Sequence, residues 1–544
     1  MKKTSLLVTM LIAGMSLAVA ACNNIVHDEP EKNLVQIDPY EYETTYRSMR
    51  INGSGYAGEQ FTEHTNEEGK KKYVIEDVKA LVIPVDFTDY PGSSLPLGEE
   101  GTRQELETMM FGKEGETEWY SLAGYYESSS FGQCHISGVV GDWWHIDKTA
   151  KAYAKSFDKE TTGSQKVAIA IQDYYRKQYS NAELLGDQET MAKYDLRQFD
   201  ANQDGFIDSL ILIYTAPITT TGELFWAFCW SVPGAYGRYK PDLEGVNRFF
   251  WASYWFFYDN HLDHSTKPYG IPDDLRTGIA NGTIHPDVHT MTHEYGHVLS
   301  LPDYYITDYN TSDYDGLGYL DMMDYNIGDH NAMSKSWYGW INPYYVKGST
   351  TATIRSTTKT GDTIIIPIGG EYRNTLMDQY LMIEFLTPEG VAKYDGEHQF
   401  GGNYPLYYSE AGIRVTHVDA RLGLFNYNQT KGEYQFAGFT TSTADPGSNS
   451  YVSTACSNTG SDSCFKNYKL IEILPRQGKS IKYYGASTNA MLFKEGDKFG
   501  GDDGIWPNYM MHDKAGTYTE PLGFKFEINK INGMESAEIT FTKL

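Results

Sequence analysis

The sequence predicts a mixed α/β domain followed by a β-rich, sandwich-like domain. Two observations predict the first. Apolar, β-branched runs such as "DVKALVIPVDF" and "SLILIYTAPI" read as buried strands. Between them, "GTRQELETMMF" and "SQKVAIAIQDYYRKQYS" carry apolar residues at helical spacing, and strands mixed with helices in this order point to an α/β class. The third observation predicts the second domain: from about residue 346 the pattern changes to strand-length runs with turn residues between them.

Length and charge bound the rest. At 544 residues the chain exceeds one ordinary core, so at least two packed units and an N-terminal extension are expected. With 45 Lys+Arg against 72 Asp+Glu the formal charge is −27, which opposes nucleic-acid binding and charge-driven attachment to anionic lipid.

The first element is "MKKTSLLVTMLIAGMSLAVAACNN", in which Lys2 and Lys3 precede an apolar run from Leu6 to Ala21 that ends at Cys22. Residues 1–21 therefore read as a signal peptide. The "VAAC" stretch resembles the lipobox of bacterial lipoproteins, which implies a lipid on the Cys22 thiol and an exported protein held at the outer membrane or cell surface through that lipid alone. Residues 22–75 are polar, a tether or a short pro-segment. Of the other thiols, Cys134, Cys229, Cys456 and Cys464, the last two flank a Ser/Asn/Gly/Asp-rich loop that a disulfide could close.

Residues 76–345 are assigned to the α/β domain, starting at "DVKALVIPVDFTDYPG". Within it, "FDANQDGFIDSL" sets Asp200, Asn202, Asp204 and Asp208 around Gly205, resembling the first part of an EF-hand-type loop. Oxygen ligands at alternating positions suit Ca²⁺, although Ile211 stands where such loops end in glutamate; the plain alternative is an acidic turn before a strand.

The segment "HPDVHTMTHEYGHVLSLPD" has apolar residues near helical spacing and Pro286 suited to a helix start. On that helix His293 and His297 stand four residues apart and share a face. Two such imidazoles can present nitrogens to one Zn²⁺, with Glu294 beside the metal and not ligating it. Zinc lowers the pKa of its bound water, and Glu294 can accept that water's proton and pass it to a leaving amine. Asp303, just after Pro302, is the candidate third ligand.

These residues resemble the immune inhibitor A family of secreted bacterial zinc metallopeptidases, which are similar to metzincins. The family pattern HExxHxxGLPDxYD is met by "HEYGHVLSLPDYYI" at His293, Glu294, His297, Leu301, Pro302, Asp303 and Tyr305, with Ser300 in place of glycine and Ile306 in place of aspartate. A serine at a positive-φ turn would be strained. The resemblance extends over about residues 78–420, including "ELFWAFCWSV" and "GLGYLDMMDYN". It implies a metzincin-like zinc endopeptidase acting on protein or peptide substrates. It also places Met323 as the methionine beneath the metal, and Tyr325 follows at the Met-x-Tyr spacing of some metzincins whose tyrosine steadies the transition-state oxyanion.

Residues 346–544 supply the β-rich domain through "TTATIRSTT", "DTIIIPIGG", "DQYLMIEFL", "AGIRVTHVD" and "SAEITFTKL". His417 and Asp419 share a strand side by alternation, and without a third partner they read as structural hydrogen-bonding groups.

Overall fold

Strand β1, Asp77–Phe87, runs through the middle of a mostly parallel sheet. With β2 (His135–Val140), β3 (Ser209–Tyr214), β4 (Phe228–Ser231) and β5 (Arg248–Ser253) the order is β2-β1-β3-β5-β4, and Trp144–Ile146 pairs with the far end of β1. The pairings are parallel except for β4, which lies antiparallel on β5 as an edge strand. The computed structural model describes residues 26–27, 33–40, 60–113, 115–157, 160–232, 245–307, 314–400, 404–442, 449–459, 468–513 and 517–544. The apolar run ending at Ala21, Cys22 and Cys464 lie outside them, and so does the expected closure between Cys456 and Cys464.

Every residue of β3 and β5 is buried because both faces of the sheet are covered. Alternation divides β1 between two cores. Val78, Ala80 and Val82 face a cluster shared with α1 (Gly98–Phe111) and α3 (His289–Val298), whereas Leu81, Ile83 and Val85 face α2 (Glu160–Leu185) through Val167, Ile171 and Tyr175. α3 begins at His289, three residues after Pro286.

The second half builds two further sheets. One has six strands in the order Ile471–Ile473, Gly412–Asp419, Gln379–Leu386, Thr363–Pro367, Tyr344–Val346 and Leu34–Gln36. The other has five, Val26–His27, Thr350–Arg355, Ser536–Lys543, Phe524–Asn532 and Lys498–Phe499. Ile364, Ile366, Leu381 and Ile383 of the first share a core with Ile354, Phe526, Ile539 and Phe541 of the second. The opposite face of the six-stranded sheet, with Ile365, Tyr380, Met382 and Val418, joins the core that buries α3. Gln379–Leu386 is covered on both sides, which is why all eight of its residues are buried. Two short strands from residues 22–75, Val26–His27 and Leu34–Gln36, pair into these sheets.

A small three-stranded sheet completes the part that matters for the site, with β6 (Leu422–Asn428) flanked by β7 (Glu433–Phe439) and β8 (Ser450–Thr454). Among the described residues no helix is long and apolar enough to cross a membrane.

Candidate metal centre

Helix α3 is buried along nearly its whole length, so its two polar faces must be satisfied from inside the protein. His289, at its first turn, is clamped between Asp287 and Asp395 at 2.7 and 3.0 Å and stacks on Trp119. At the other end Arg248 of β5 donates from Nη1 to the carbonyls of His297 (2.8 Å) and Val298 (2.6 Å). A cation on the last carbonyls satisfies groups the helix cannot bond itself and complements the helix dipole.

Ser300 ends the helix with φ +80°, in the left-handed region that glycine occupies freely. Its Oγ accepts from Arg248 Nη1 at 2.9 Å, so Arg248 holds the strained residue in place. The turn reverses the chain, and Leu301 N–H returns to the Gly296 carbonyl at 2.9 Å. Asp303 is thereby carried back over the helix: its Oδ1 lies 3.2 Å from His293 Nε2 and 3.1 Å from His297 Nε2.

Both imidazoles have their outer nitrogen fixed. His293 Nδ1 donates to the Met322 carbonyl and His297 Nδ1 to the Leu301 carbonyl, each at 2.8 Å, which turns both Nε2 atoms toward Asp303. The three donor atoms lie within 4.8 Å of one another. Their separations from Asp303 match the edge of about 3.3 Å between neighbouring ligands of a tetrahedral zinc site. Burial works against a charged imidazole, but Asp303 and Glu294 outweigh it and push His297 up to about 9; burial likewise opposes the Asp303 carboxylate, which His297 and His293 nevertheless hold below its usual range. Two imidazoles and one carboxylate thus form a site that favours a cation, and the donor set fits zinc.

Glu294 points elsewhere. Its carboxylate accepts from the Cys229 backbone N–H on β4, while Oε2 is buried with no hydrogen-bond partner among the described residues. Burial raises its pKa, against the lowering influence of His297 and His293. A carboxylate with one engaged and one unpartnered oxygen beside three metal donors is placed to receive a proton.

Beneath the helix Met323 is fully buried, and a Cβ at Gly296 would meet its sulfur at 2.3 Å. That close approach explains a glycine inside the helix. Tyr325, by contrast, is 37% exposed, packs between Tyr319 and Tyr404, and no described contact joins it to the metal donors or Glu294. Tyr305 lines the cleft beside the candidate donors, its ring 6.0 Å from that of His293. In the sequence Tyr305 stood only as a position of the family pattern; the signal was its place two residues after Asp303, where Pro302 was expected to turn the chain back toward the metal. Arg248 carried no such signal.

The other predicted site residues lie apart from this centre. Asp200 accepts from the backbone of Asp204 (3.1 Å) and Gly205 (2.9 Å), Asn202 from Asp204, and Asp204 from Phe206, which wraps the loop around Gly205 at φ +90°. Asp208 accepts from Lys79 N–H at 2.8 Å; burial, with Asp200 and Asp204 nearby, pushes it up to about 8. His417 bonds Gln379 (2.9 Å), and Asp419 bonds Arg421 and His512.

Fold and site together define a class: an α/β protein with an HExxH motif and three side chains that could hold a metal ion, opening on a cleft beside an edge strand. Residues 63–224 match the family described as "Immune inhibitor A peptidase M6, catalytic domain". The match covers less than a third of the chain and ends before α3, so it supports the resemblance read from the metal helix on independent residues. Among curated proteins the chain is similar to "Immune inhibitor A" of Bacillus thuringiensis subsp. alesti, 24% identical over 253 residues, which are 42% of this chain and 34% of that one. It is also similar to "Pre-pro-metalloprotease PrtV" of Vibrio cholerae serotype O1 (strain M66-2), 26% identical over 260 residues, 42% of this chain and 25% of that one. The chain thus spans about a third to a quarter of the length of these relatives.

Proposed function

We propose that the protein is a zinc-dependent endopeptidase acting on extracellular proteins, with a metzincin-like catalytic unit and a two-sheet, sandwich-like C-terminal unit. The observation that carries this reading is the convergence of His293, His297 and Asp303 beside the half-engaged carboxylate of Glu294. The relative named a metalloprotease supports it.

Zinc held by the three donors supplies Lewis acidity at a substrate carbonyl and makes water a stronger acid. The chain's own residues do the rest. Glu294 takes the proton of the attacking water, holds it in a buried position, and delivers it to the amine that leaves. The Met322 and Leu301 carbonyls keep both imidazoles oriented throughout. For the oxyanion, Tyr325 was expected from its spacing, but the cleft position favours Tyr305. Tyr305→Phe is expected to lower turnover about tenfold or more with metal content unchanged; if Tyr325→Phe does so instead, the role returns to Tyr325.

The protein purified with one zinc per chain should cleave casein, lose that activity on treatment with 1,10-phenanthroline, and regain it on zinc addition. Full cleavage by metal-stripped protein would sink the reading.

We further propose that the Asp200–Asp208 loop takes Ca²⁺, because it sets oxygen donors at alternating positions around Gly205 and because burial, with Asp200 and Asp204 nearby, raises Asp208, a carboxylate that a divalent cation would favour. Calcium should raise the melting temperature by several degrees and EGTA should reverse the gain. A melting curve indifferent to both would leave the loop as an acidic turn.

A further inference from the structure

The metal centre opens on a cleft of about 820 Å³. One wall is the edge strand β4. The Val232 N–H to Asn247 carbonyl bond of 2.7 Å fixes the alternation along the β4/β5 pair: Trp230 is bonded toward β5, and Cys229 and Ser231 turn their backbone groups outward. An extended chain lying on this edge passes directly under Glu294, which already bonds Cys229 N–H.

The other wall comes from the second half of the protein. In the three-stranded sheet Phe425 and Tyr451 are cross-strand partners, stacked with centroids 5.0 Å apart at 9°, and both line the cleft. Alternation sends their neighbour Val452 into the core instead. The wall is bolted to the metal loop: the buried Asn458 side chain donates to the Tyr304 carbonyl at 3.1 Å and to the Ile471 carbonyl at 2.9 Å, and Thr307 N–H donates to the Thr459 carbonyl at 3.1 Å. These bonds fasten Tyr304 and Thr307, just after Asp303, to the segment that follows β8, so the wall is tied to the metal loop by the fold.

The chemistry of the cleft is one-sided. Apart from the metal donors and Glu294, the charged side chain among the described lining residues is Arg248, which is buried and committed to the end of α3. Trp226 and Trp230, 44% and 45% exposed, face the cleft from the β4 side. A charged substrate side chain entering between these aromatic walls would lose water and meet no counter-charge among the described lining residues, whereas a large apolar one would bury its surface against the rings of Trp226, Trp230 and Tyr451, the last backed by the buried Phe425.

We propose that the Phe425/Tyr451 wall is a specificity subsite that selects a bulky apolar side chain, aromatic or long aliphatic, of an extended peptide lying along Phe228–Ser231. The proposal rests on the peptidase reading, and it gives the β-rich half a direct part in substrate choice.

The test uses the full chain and two readouts. Peptide pairs that differ by Phe against Ala at each residue flanking the cleaved bond give a ratio of kcat/KM. The same peptides are titrated against Glu294→Gln protein, following tryptophan fluorescence. Wild type should prefer the Phe peptide at least tenfold at one position, as hydrophobic pockets do. That ratio should fall toward one in Phe425→Ala and be largely restored in Phe425→Leu. If Phe425→Ala does not fold, Tyr451→Thr, in a half-buried position on the cleft, reads the same ratio.

Turnover with an unchanged ratio overturns the subsite and leaves the peptidase reading standing. Selective binding of the Phe peptide without turnover by wild type overturns the peptidase reading and leaves the subsite. Tighter binding of Lys or Glu peptides, or of an oligosaccharide in place of either peptide, overturns the subsite as described.

Discussion

Replacing Glu294 by Gln is expected to reduce peptide turnover by about 10²–10⁴-fold, the range that a positioned proton acceptor contributes, while leaving one zinc per chain. The two halves of this expectation come from different atoms. Metal retention follows because the three donors are His293, His297 and Asp303, each oriented without help from Glu294. Loss of turnover follows because an amide matches the carboxylate in shape and can still accept from Cys229 N–H, but cannot take up a proton near neutral pH. Metal analysis and steady-state kinetics on the same preparation check both. A Gln variant that keeps more than a tenth of wild-type turnover would show that another group moves the proton; one that loses its zinc would make Glu294 part of the metal site.

Where the sequence was legible, a short-range rule governed the result. His293 and His297 share a face because a helix repeats every 3.6 residues, and Asp77–Phe87 and Gln379–Leu386 announced themselves as mostly apolar runs because both faces of their sheets are covered. Where it was not, the decision was made by pairing across long stretches of chain. The sequence shows Ser300 standing in a glycine position, but not that Arg248, fifty-two residues earlier, holds it at φ +80°. Phe425 and Tyr451 read as ordinary strand aromatics until the register of β6 on β8 puts them opposite each other on the cleft side. Val26–His27 and Leu34–Gln36 are too short and too mixed to show periodicity, and only the neighbouring strands Thr350–Arg355 and Tyr344–Val346 give them structure. Tyr325 shows the converse: a spacing borrowed from resemblance set it near the metal, whereas its rings of contact are Tyr319 and Tyr404.

Arg414→Met is expected to destabilise the protein by about 3–5 kcal/mol, the cost of stranding one member of a buried ion pair. Arg414 and Glu384 are adjacent partners on neighbouring strands, each 2% exposed, joined by Nε–Oε2 and Nη2–Oε1 bonds of 2.8 Å. Glu384 also accepts from Ala332 N–H at 3.1 Å, at the start of α4 (Ala332–Trp337). The preceding residue, Asn331, is bonded by Asp321, whose Oδ1 in turn holds Met323 N–H in the turn that presents the Met322 carbonyl to His293. Removing the guanidinium therefore leaves a buried carboxylate at the root of a chain of bonds that ends on a metal ligand. Denaturant unfolding of the zinc-loaded protein should show the loss. The double variant Arg414→Met/Glu384→Gln removes the orphaned charge but keeps an acceptor for Ala332, and it should recover most of the stability. If the single variant stays within about 1 kcal/mol of wild type, or the double variant is no better than the single, then the pair is not what couples the β-rich half to the metal helix.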